Sequence, residues 1–431
     1  MDLTILTVIA LVFFLMISFK RLNFCLGFIL IFLPTYLIRF KIGFVPFTFL
    51  EMMILIVTAV WLIKILVKKE KVDLGGFFLV SAFFILSALV AALVSPDIES
   101  ALGIFKAYFL EAILFFIVMV NVVKTRKQMK FIIFSMGVSA LFVAIFAVWQ
   151  YFGIFPGLEP YISENPRRAT SLFEFPTAVG KFLGPILSFF LALIFVKLPR
   201  DYQRPLSHKI YLWGVALFSV LGILFSVTRG AILGLFIALL FISFFSRHRK
   251  KIWTGLIVLL LFFLVLPQGR QEITSIVSGQ DTSTDVHMIM WQGTWRLLKD
   301  NPITGAGLAG FPQVYNIYRD AAHTELFPYP DNFFLAVWVE LGLAGLFVFG
   351  WLFYKYIRRS VILLKSKISN FDRQVVVGLL SVFIYMMFHG LVDTPYFKND
   401  LSVMFWAFVG LLVITSRLNF NLTGQKEKNS V

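Results

Sequence analysis

The sequence predicts an all-α polytopic membrane protein, and three observations support this fold class. Hydrophobic residues make up 59% of the 431 residues, whereas charged residues make up only 14%. Long apolar runs recur along the chain, and short basic segments separate them. Runs of this length are typical of helices that cross a bilayer, so we expect about 12–13 transmembrane helices in a single integral-membrane domain.

The apolar runs define the predicted helices in chain order. Pro34 and Pro46 interrupt the early runs, which makes the first boundaries the least regular. The runs cover residues 3–19, 22–38, 47–67, 77–94, 103–123, 131–153, 177–197, 210–227, 230–245, 252–267, 332–354, 374–392 and 400–416. We place the membrane domain at residues 1–416 and a polar cytoplasmic tail at residues 417–431.

The loops between these runs alternate in charge from the third run onward. Basic loops are usually retained on the cytoplasmic side of a membrane. In this chain the basic loops are KKEK, KTRKQMK, PRDYQR, RHRKK and RRSVILLKSK. The alternate loops are expected outside, and they are SPDIES, residues 154–176, the turn at Arg229, residues 268–331 and DTPYFKND. The loop charges do not decide on which side of the membrane the N-terminus lies, because that side depends on whether the number of transmembrane helices is odd or even. We expect a functional site to face away from the cytoplasm.

Composition also excludes several classes of function. The net charge of +16 comes from lysines and arginines in the short loops, where they set topology, so we expect membrane lipids and no nucleic acid as partners. The single cysteine, Cys25, excludes an intrachain disulfide and a CxxC redox pair. His287, His323 and His389 lie on or near the outer side, but their spacings match no compact metal motif. We therefore expect no metal and no cofactor.

An arginine stands inside the apolar run from Ile210 to Phe245. As one straight helix this run would be about 54 Å long, which is too long for a hydrocarbon core of about 30 Å. Because basic segments flank both ends, we predict a helical hairpin with its turn near Arg229. Gly230 and Gly234 follow at a spacing that lets another helix pack closely. Two roles fit Arg229: snorkelling to lipid phosphate, or clamping an anionic substrate through paired guanidinium donors.

Other ionisable residues are placed near the same outer face. Lys106 could add a second positive group to a pocket at the outer face, and Arg167 and Arg168 form an unusual arginine pair in an outer loop. Asp331 precedes the eleventh run, beside Asn332, where it could cap the helix or accept a proton from a sugar hydroxyl. His389 and Asp393 either belong to a further part of the site or cap a helix.

Four segments, taken together, resemble the O-antigen ligase and O-antigen polymerase family of bacterial envelope glycosyltransferases. They are SVTRGAILG, WQGTWRLLKDNPITGAGLAGFPQVY, DNFFLAVWVELGLAGL and NPRRATSLFEFPTAVG, within residues 100–400. The resemblance implies a fold similar to the metal-independent GT-C glycosyltransferases. It also implies transfer of a glycan from undecaprenyl pyrophosphate to an acceptor hydroxyl outside the cytoplasmic membrane.

The resemblance assigns roles to individual residues, and this chain departs from the family pattern at two places. Arg229, Lys106 and Arg168 would contact the pyrophosphate. Where the family commonly has an arginine before the tryptophan of the long loop, this chain has His287, so Arg296 is the replacement cation. Where the family commonly has HN, this chain has Asp331 and Asn332. Asp331 is then the candidate base, with His323 in reserve and His287 as a further catalytic candidate.

The sequence therefore predicts an inverting glycosyltransferase with a glycan or lipid-linked glycan as acceptor. A polymerase of surface polysaccharide is the first choice and a ligase the second, because nothing in the chain marks a particular acceptor. The alternative is a transporter or flippase of lipid-linked glycans, although no pair of related halves is evident. An inert scaffold in an envelope assembly is the third alternative.

Overall fold

Helices occupy all thirteen apolar runs in the computed structural model, which describes residues 3–43, 45–164, 167–198, 204–265, 282–320 and 327–428. The first half comprises α1 (Leu3–Lys20), α2 (Leu22–Ile31), α3 (Phe49–Lys68), α4 (Phe78–Leu93), α5 (Ile98–Ile104), α6 (Glu111–Val122), α7 (Arg126–Tyr151) and α8 (Pro176–Phe195). The second half comprises α9 (Leu206–Ser226), α10 (Arg229–Phe244), α11 (Arg249–Val265), α12 (Thr282–Asp300), α13 (Phe311–Tyr315), α14 (Phe333–Lys365), α15 (Asn370–His389) and α16 (Asn399–Lys428).

Eight helices among the described residues are long and apolar enough to cross a membrane. One of them is the continuous stretch Ile98–Val122, in which a π-helical segment (Phe105–Leu110) joins α5 to α6. Four shorter apolar helices lie at Leu6–Lys20, Leu22–Ile31, Phe78–Leu93 and Arg229–Phe244. The prediction of an all-α polytopic membrane protein is confirmed. The tail predicted to begin at residue 417 continues α16 as helix to Lys428.

A short hairpin departs from the all-helical pattern. The strands β1 (Arg39–Ile42) and β2 (Val45–Thr48) pair antiparallel, with Arg39 opposite Thr48. The second apolar run breaks before this hairpin, because Pro34 lacks the amide that would continue α2, and a 3₁₀ turn (Leu33–Leu37) follows. A capping box between Thr48 and Glu51 then starts α3. Proline therefore divides what the sequence presents as one apolar run.

The basic loops lie together at one end of the bundle. Five contacts tie these loops to one another: Lys64 Nζ to the Phe19 carbonyl (2.6 Å), Lys124 to Glu70 (3.1 Å), Arg126 to Asp372 (2.6 Å), Arg204 to Gln374 (2.9 Å) and Arg417 to Asp73 (3.1 Å). Successive membrane-crossing helices that these contacts join therefore alternate in direction, as the charge pattern predicts, with α5 and α6 forming one crossing. Because α1 ends at this basic end, its first residue, Leu3, lies toward the opposite end.

A glycine-rich loop locks into a break in α14. At Gly342 (φ +66°) the helix is interrupted, and the bond that Leu343 N would donate to the Val339 carbonyl is replaced. Leu343 N donates to the Ile303 carbonyl (2.9 Å), and Ala306 N donates to the Val339 carbonyl (2.8 Å). The loop thus satisfies both groups that the kink releases.

Glu340 holds the other end of the same loop. Its buried carboxylate accepts a hydrogen bond from Ala309 N (2.8 Å). Leu308 is fixed at the end of α4, where its carbonyl accepts from the Ser95 hydroxyl (2.6 Å) and its amide donates to Ala91 (3.1 Å). The TGAGLAGF segment therefore joins α4 to α14 and is bound through its own backbone.

Replacing Gly342 by alanine is expected to destabilise the fold by about 1–3 kcal/mol. A β-carbon there would lie 2.3 Å from the Ile303 carbonyl oxygen, at a φ that favours glycine. Gly350→Ala is the matched control in the same helix, because a β-carbon at position 350 meets nothing within 4 Å. Thermal unfolding of the detergent-solubilised protein should separate the two variants, and equal midpoints would contradict this account of the kink.

Candidate functional site

The turn between α9 and α10 forms one wall of the candidate site. The turn falls where the sequence predicts it, since α9 ends at Ser226 and α10 begins at Arg229, with Val227 at φ +52° between them. The Thr228 hydroxyl contacts the Ser226 hydroxyl (2.8 Å) and the Pro176 carbonyl (3.3 Å) and makes no cap bond to α10. The exposed Arg229 side chain thus stands at a helix N-terminus, where backbone N–H groups favour anions.

The two glycines after Arg229 bring α10 into close contact with α15. A β-carbon at Gly230 would lie 2.8 Å from His389 Cδ2, and one at Gly234 would lie 2.9 Å from the Tyr385 ring. Small residues allow such close packing of helices. The GxxxG spacing therefore places the first turn of α10 directly beside His389.

The arginine pair of the outer loop divides into two different environments. Arg168 Nε donates to the Ser226 carbonyl (3.4 Å), and the neighbouring Ala169 N donates to Phe225 (2.8 Å), so this loop meets the Arg229 turn. Arg167 instead donates to backbone carbonyls of Ile162 and Tyr151, each at 3.0 Å. Arg168 is therefore the member of the pair that joins the candidate site.

Asp331 and Asn332 lie next to the end of α15, where the chain continues past His389 to Gly390 and Leu391. Phe333 N donates to the Gly390 carbonyl (2.7 Å), and the Asn332 amide donates to the Leu391 carbonyl (3.0 Å). Asn332 is also the N-cap of α14, because its Oδ1 accepts from two amides of the first turn. The alternative that Asp331 caps this helix is wrong, since the neighbouring residue fills that position.

The environment of Asp331 suits a group that exchanges a proton. Its backbone adopts φ +40°, which is uncommon for a residue with a side chain and is most frequent at asparagine and aspartate. Burial raises the pKa of Asp331 to about 7; the charge of Asp393 acts in the same direction, and Lys181 opposes both. A carboxylate with a pKa near neutrality is a suitable general base.

A buried ion-pair cluster lies behind Asp331. Lys181 Nζ of α8 contacts Asp393 Oδ1 (2.8 Å), and His389 Nε2 lies 3.4 Å from Asp393 Oδ2. Tyr385 Oη is 2.9 Å from His389 Nδ1 and donates to the Gly180 carbonyl (2.9 Å). Burial opposes ionisation of Asp393, but Lys181 and His389 hold the pKa of its carboxyl well below the usual range.

Lys181 is the residue of this cluster that the sequence analysis missed. It belongs to an apolar helix, where a charged side chain is costly and needs a reason. The same criterion that singles out Arg229 would have found it. His389 and Asp393, which were candidates for a further part of the site, lie next to the segment that carries Asp331.

Helix α12 approaches from the long loop. The Trp291 indole donates to the Pro330 carbonyl (2.8 Å), and His287 lies one turn earlier, with its ring 5.9 Å from that of Trp291. Arg296, nine residues further along α12 than His287, donates to the Tyr318 carbonyl (2.9 Å). His287 is therefore brought near the Asp331 loop, whereas His323 lies outside the described residues.

Lys106 makes a separate set of contacts. It lies in the π-helical segment, where its Nζ contacts Glu51 (3.3 Å) and the Pro46 carbonyl (2.8 Å) and stands over the Phe47 ring. These partners belong to β2 and α3 rather than to the Arg229 turn. The structure thus joins Arg168, Arg229, Asp331, Asn332, His389 and Asp393 in one region and gives Lys106 partners of its own.

The arrangement combines cations with a carboxylate of raised pKa. Arg168 and Arg229 can bind an anion, and Asp331 can accept a proton. Within the ranges that the structure describes, no group of three or more His, Cys, Asp or Glu residues could hold a metal ion.

Residues 214–350 match the family model described as O-antigen ligase (Wzy_C). This match confirms the resemblance to the O-antigen ligase and polymerase family, and it covers Arg229, Asp331 and Asn332 but not Lys106, Arg168 or Asp393. No curated protein matches the chain. The family match and the apolar helices support a multi-pass membrane protein with an O-antigen ligase-type glycosyltransferase function.

Proposed function

We propose that this multi-pass membrane protein with an O-antigen ligase domain transfers or polymerises a glycan carried on undecaprenyl pyrophosphate. The acceptor is a sugar hydroxyl at the extracytoplasmic face of the cytoplasmic membrane. Polymerisation of surface polysaccharide is the first choice and ligation to another acceptor the second. The observation that carries the proposal is the meeting of Arg168, the Arg229 turn and the Asp331 loop at the end of the bundle opposite the basic loops.

The donor pyrophosphate binds at the Arg229 turn. Guanidinium groups present paired N–H donors that match phosphate oxygens, and the N-terminus of α10 adds backbone donors. As the bond between the anomeric carbon and the pyrophosphate oxygen breaks, negative charge grows on the leaving group. Preorganised cations stabilise that charge better than water does, because they need no reorientation during the reaction. The prenyl chain lies between helices in the apolar part of the bundle.

The acceptor hydroxyl is activated at Asp331. Its oxygen attacks the anomeric carbon from the face opposite the pyrophosphate, and its proton passes to the Asp331 carboxylate. One new C–O bond forms while one breaks, undecaprenyl pyrophosphate departs, and the anomeric configuration inverts. We assign His287 and Arg296 of α12 to the acceptor side of the site. His287 is the second candidate for proton transfer, because Trp291, whose ring lies near that of His287, binds the Pro330 carbonyl next to Asp331.

Glycan transfer by the purified protein in detergent tests the proposal. We expect it to elongate a prenyl-pyrophosphate glycan without nucleotide or added metal, and to release prenyl pyrophosphate. Detergent micelles contain no compartments, so a transporter of lipid-linked glycans would give no product. Offering a second repeat unit and an unrelated lipid-linked glycan as competing acceptors distinguishes a polymerase from a ligase.

The proposed side of the membrane is checked by cysteine labelling in intact cells. The only native cysteine, Cys25, is buried, so Cys25→Ser provides an unreactive background. We expect a membrane-impermeant maleimide to label Leu158→Cys, on the loop that meets the Arg229 turn, and not Arg247→Cys, in a basic loop; both positions are exposed. The reverse pattern would place the site on the cytoplasmic side and contradict the proposal.

A further inference from the structure

Lys181 and Asp393 form a buried ion pair that joins two distant parts of the chain. The Lys181 side chain is only 16% exposed and that of Asp393 only 7%. Thr394 N also donates to Asp393 Oδ1 (2.7 Å), so this one oxygen accepts from two donors. A buried ion pair is often no more stabilising than an apolar pair of similar size. Stability alone therefore does not explain why α8 carries a lysine here.

The segment that carries Asp393 also carries the Asp331 loop. Gly390 and Leu391 accept hydrogen bonds from Phe333 N and the Asn332 amide, so residues on both sides of the contact are fixed relative to each other. Lys181 and Asp393 both act electrostatically on Asp331, and their effects have opposite sign. The ion pair is thus placed where it affects the group that accepts the proton.

We propose that Lys181 and Asp393 are positioning residues that set the pH range in which Asp331 accepts the proton of the acceptor hydroxyl. This inference rests on the proposed function, because it takes Asp331 as the base. His389 Nε2 lies 3.4 Å from Asp393 Oδ2. The hydrogen bond between His389 Nδ1 and Tyr385 Oη (2.9 Å) fixes the imidazole ring in this position.

Two charged groups act directly on Asp331: Lys181 from α8 and Asp393 from the segment after α15. His389, at the end of α15, is buried and contacts Asp393, and His287 of α12 is held near the Asp331 loop through Trp291. Asp400 acts on Lys181, and Lys398 interacts with both Lys181 and Asp393. Removing Lys181 or Asp393 takes from the other its ion-pair partner beside Asp331.

The test is the pH profile of glycan transfer in single variants. Lys181→Met removes the cation that favours the Asp331 carboxylate, so the acid limb of the profile should move up by about one pH unit. Asp393→Asn removes the anion that disfavours the Asp331 carboxylate, so the acid limb of the profile should move down by about one pH unit. Shifts of opposite sign are not expected from a loss of packing, which would lower activity at every pH.

Three further variants make the result interpretable. Lys181→Met combined with Asp393→Asn leaves no unpaired charge, so its limb should return close to that of the wild type even if a single variant accumulates poorly. Lys181→Arg keeps the cation and should keep the limb in place. Lys64→Met is the matched control, because Lys64 is also a lysine of an apolar helix but binds backbone carbonyls at the basic end.

Shifts in the same direction, or no shift in either single variant, would overturn the assignment of Lys181 and Asp393. Failure of the proposed base gives a different result. If Asp331→Asn transfers glycan with an unchanged pH profile, then Asp331 is not the base, whatever the other variants show.

Discussion

Replacing Arg229 by alanine is expected to lower glycan transfer by about 10²–10³-fold, while the protein still accumulates in the membrane. The large effect follows from the proposed role, because the guanidinium neutralises charge that develops on the departing pyrophosphate. The small effect on folding follows from the exposure of Arg229 at the first turn of α10, where truncation creates no cavity. Transfer from a prenyl-pyrophosphate glycan and thermal unfolding of the same preparation measure the two effects separately.

Arg229→Lys and two matched arginine variants sharpen this test. Lysine keeps the charge but loses the planar pair of donors, so Arg229→Lys should retain part of the activity. Arg167→Ala removes an arginine that donates to the backbone carbonyls of Ile162 and Tyr151, and Arg247→Ala removes one at the basic end, so both variants should transfer glycan normally. Undiminished transfer by Arg229→Ala would exclude the clamp.

The positions of the helices could be predicted because the cost of burying charge in lipid leaves long apolar runs. The turn at Arg229 could also be predicted, since the run from Ile210 to Phe245 is too long for one crossing and both flanks are basic. The charge pattern also placed the loop that carries Arg168 on the same side of the membrane as this turn. These features depend on interactions between the chain and the membrane. The length of each apolar run and the positions of the basic residues reveal these interactions in a single sequence.

Features that depend on contacts between distant residues could not be predicted. Lys181 and Asp393 are 212 positions apart, and nothing in either local segment identifies the other as its partner. The same holds for the glycine-rich loop, whose Ile303 and Ala306 replace one hydrogen bond of a helix that begins at Phe333. In both cases the local sequence signals an unusual residue, and the fold supplies the reason for it.

The contrast between Asp331 and Asn332 shows how one contact changes an interpretation. In the sequence both residues are good helix caps, so the capping role of Asp331 competes with a role in proton transfer. In the structure Asn332 Oδ1 accepts both cap bonds, and its amide group binds Leu391. Asp331 is consequently placed before the helix, with a carboxyl group that the cap does not use.

Asp331→Asn is expected to lower glycan transfer by about 10²–10⁴-fold, because an amide cannot accept the hydroxyl proton. Asn332→Ser is the matched control: serine is also a good N-cap and adds no charge beside Asp331, so this variant should keep α14 intact and retain most of the activity. Asp331→His restores a proton acceptor of the type that the resembled family commonly has at this position, and should recover part of the transfer that the asparagine variant loses.

The pH dependence provides an independent check on Asp331. The base must be ionised to accept a proton, and burial together with Asp393 raises its pKa toward neutrality while Lys181 limits the rise. Transfer by the wild type should therefore be full above this pKa and fall as the pH is lowered through it, with an acid limb close to pH 7 rather than near the pKa of about 4 of an ordinary aspartate. In Asp331→His the limb should follow an imidazole, and in Asp331→Asn the residual transfer should lose this limb. A limb that persists unchanged in the asparagine variant would assign the proton acceptor to another residue, with His287 the next to be replaced.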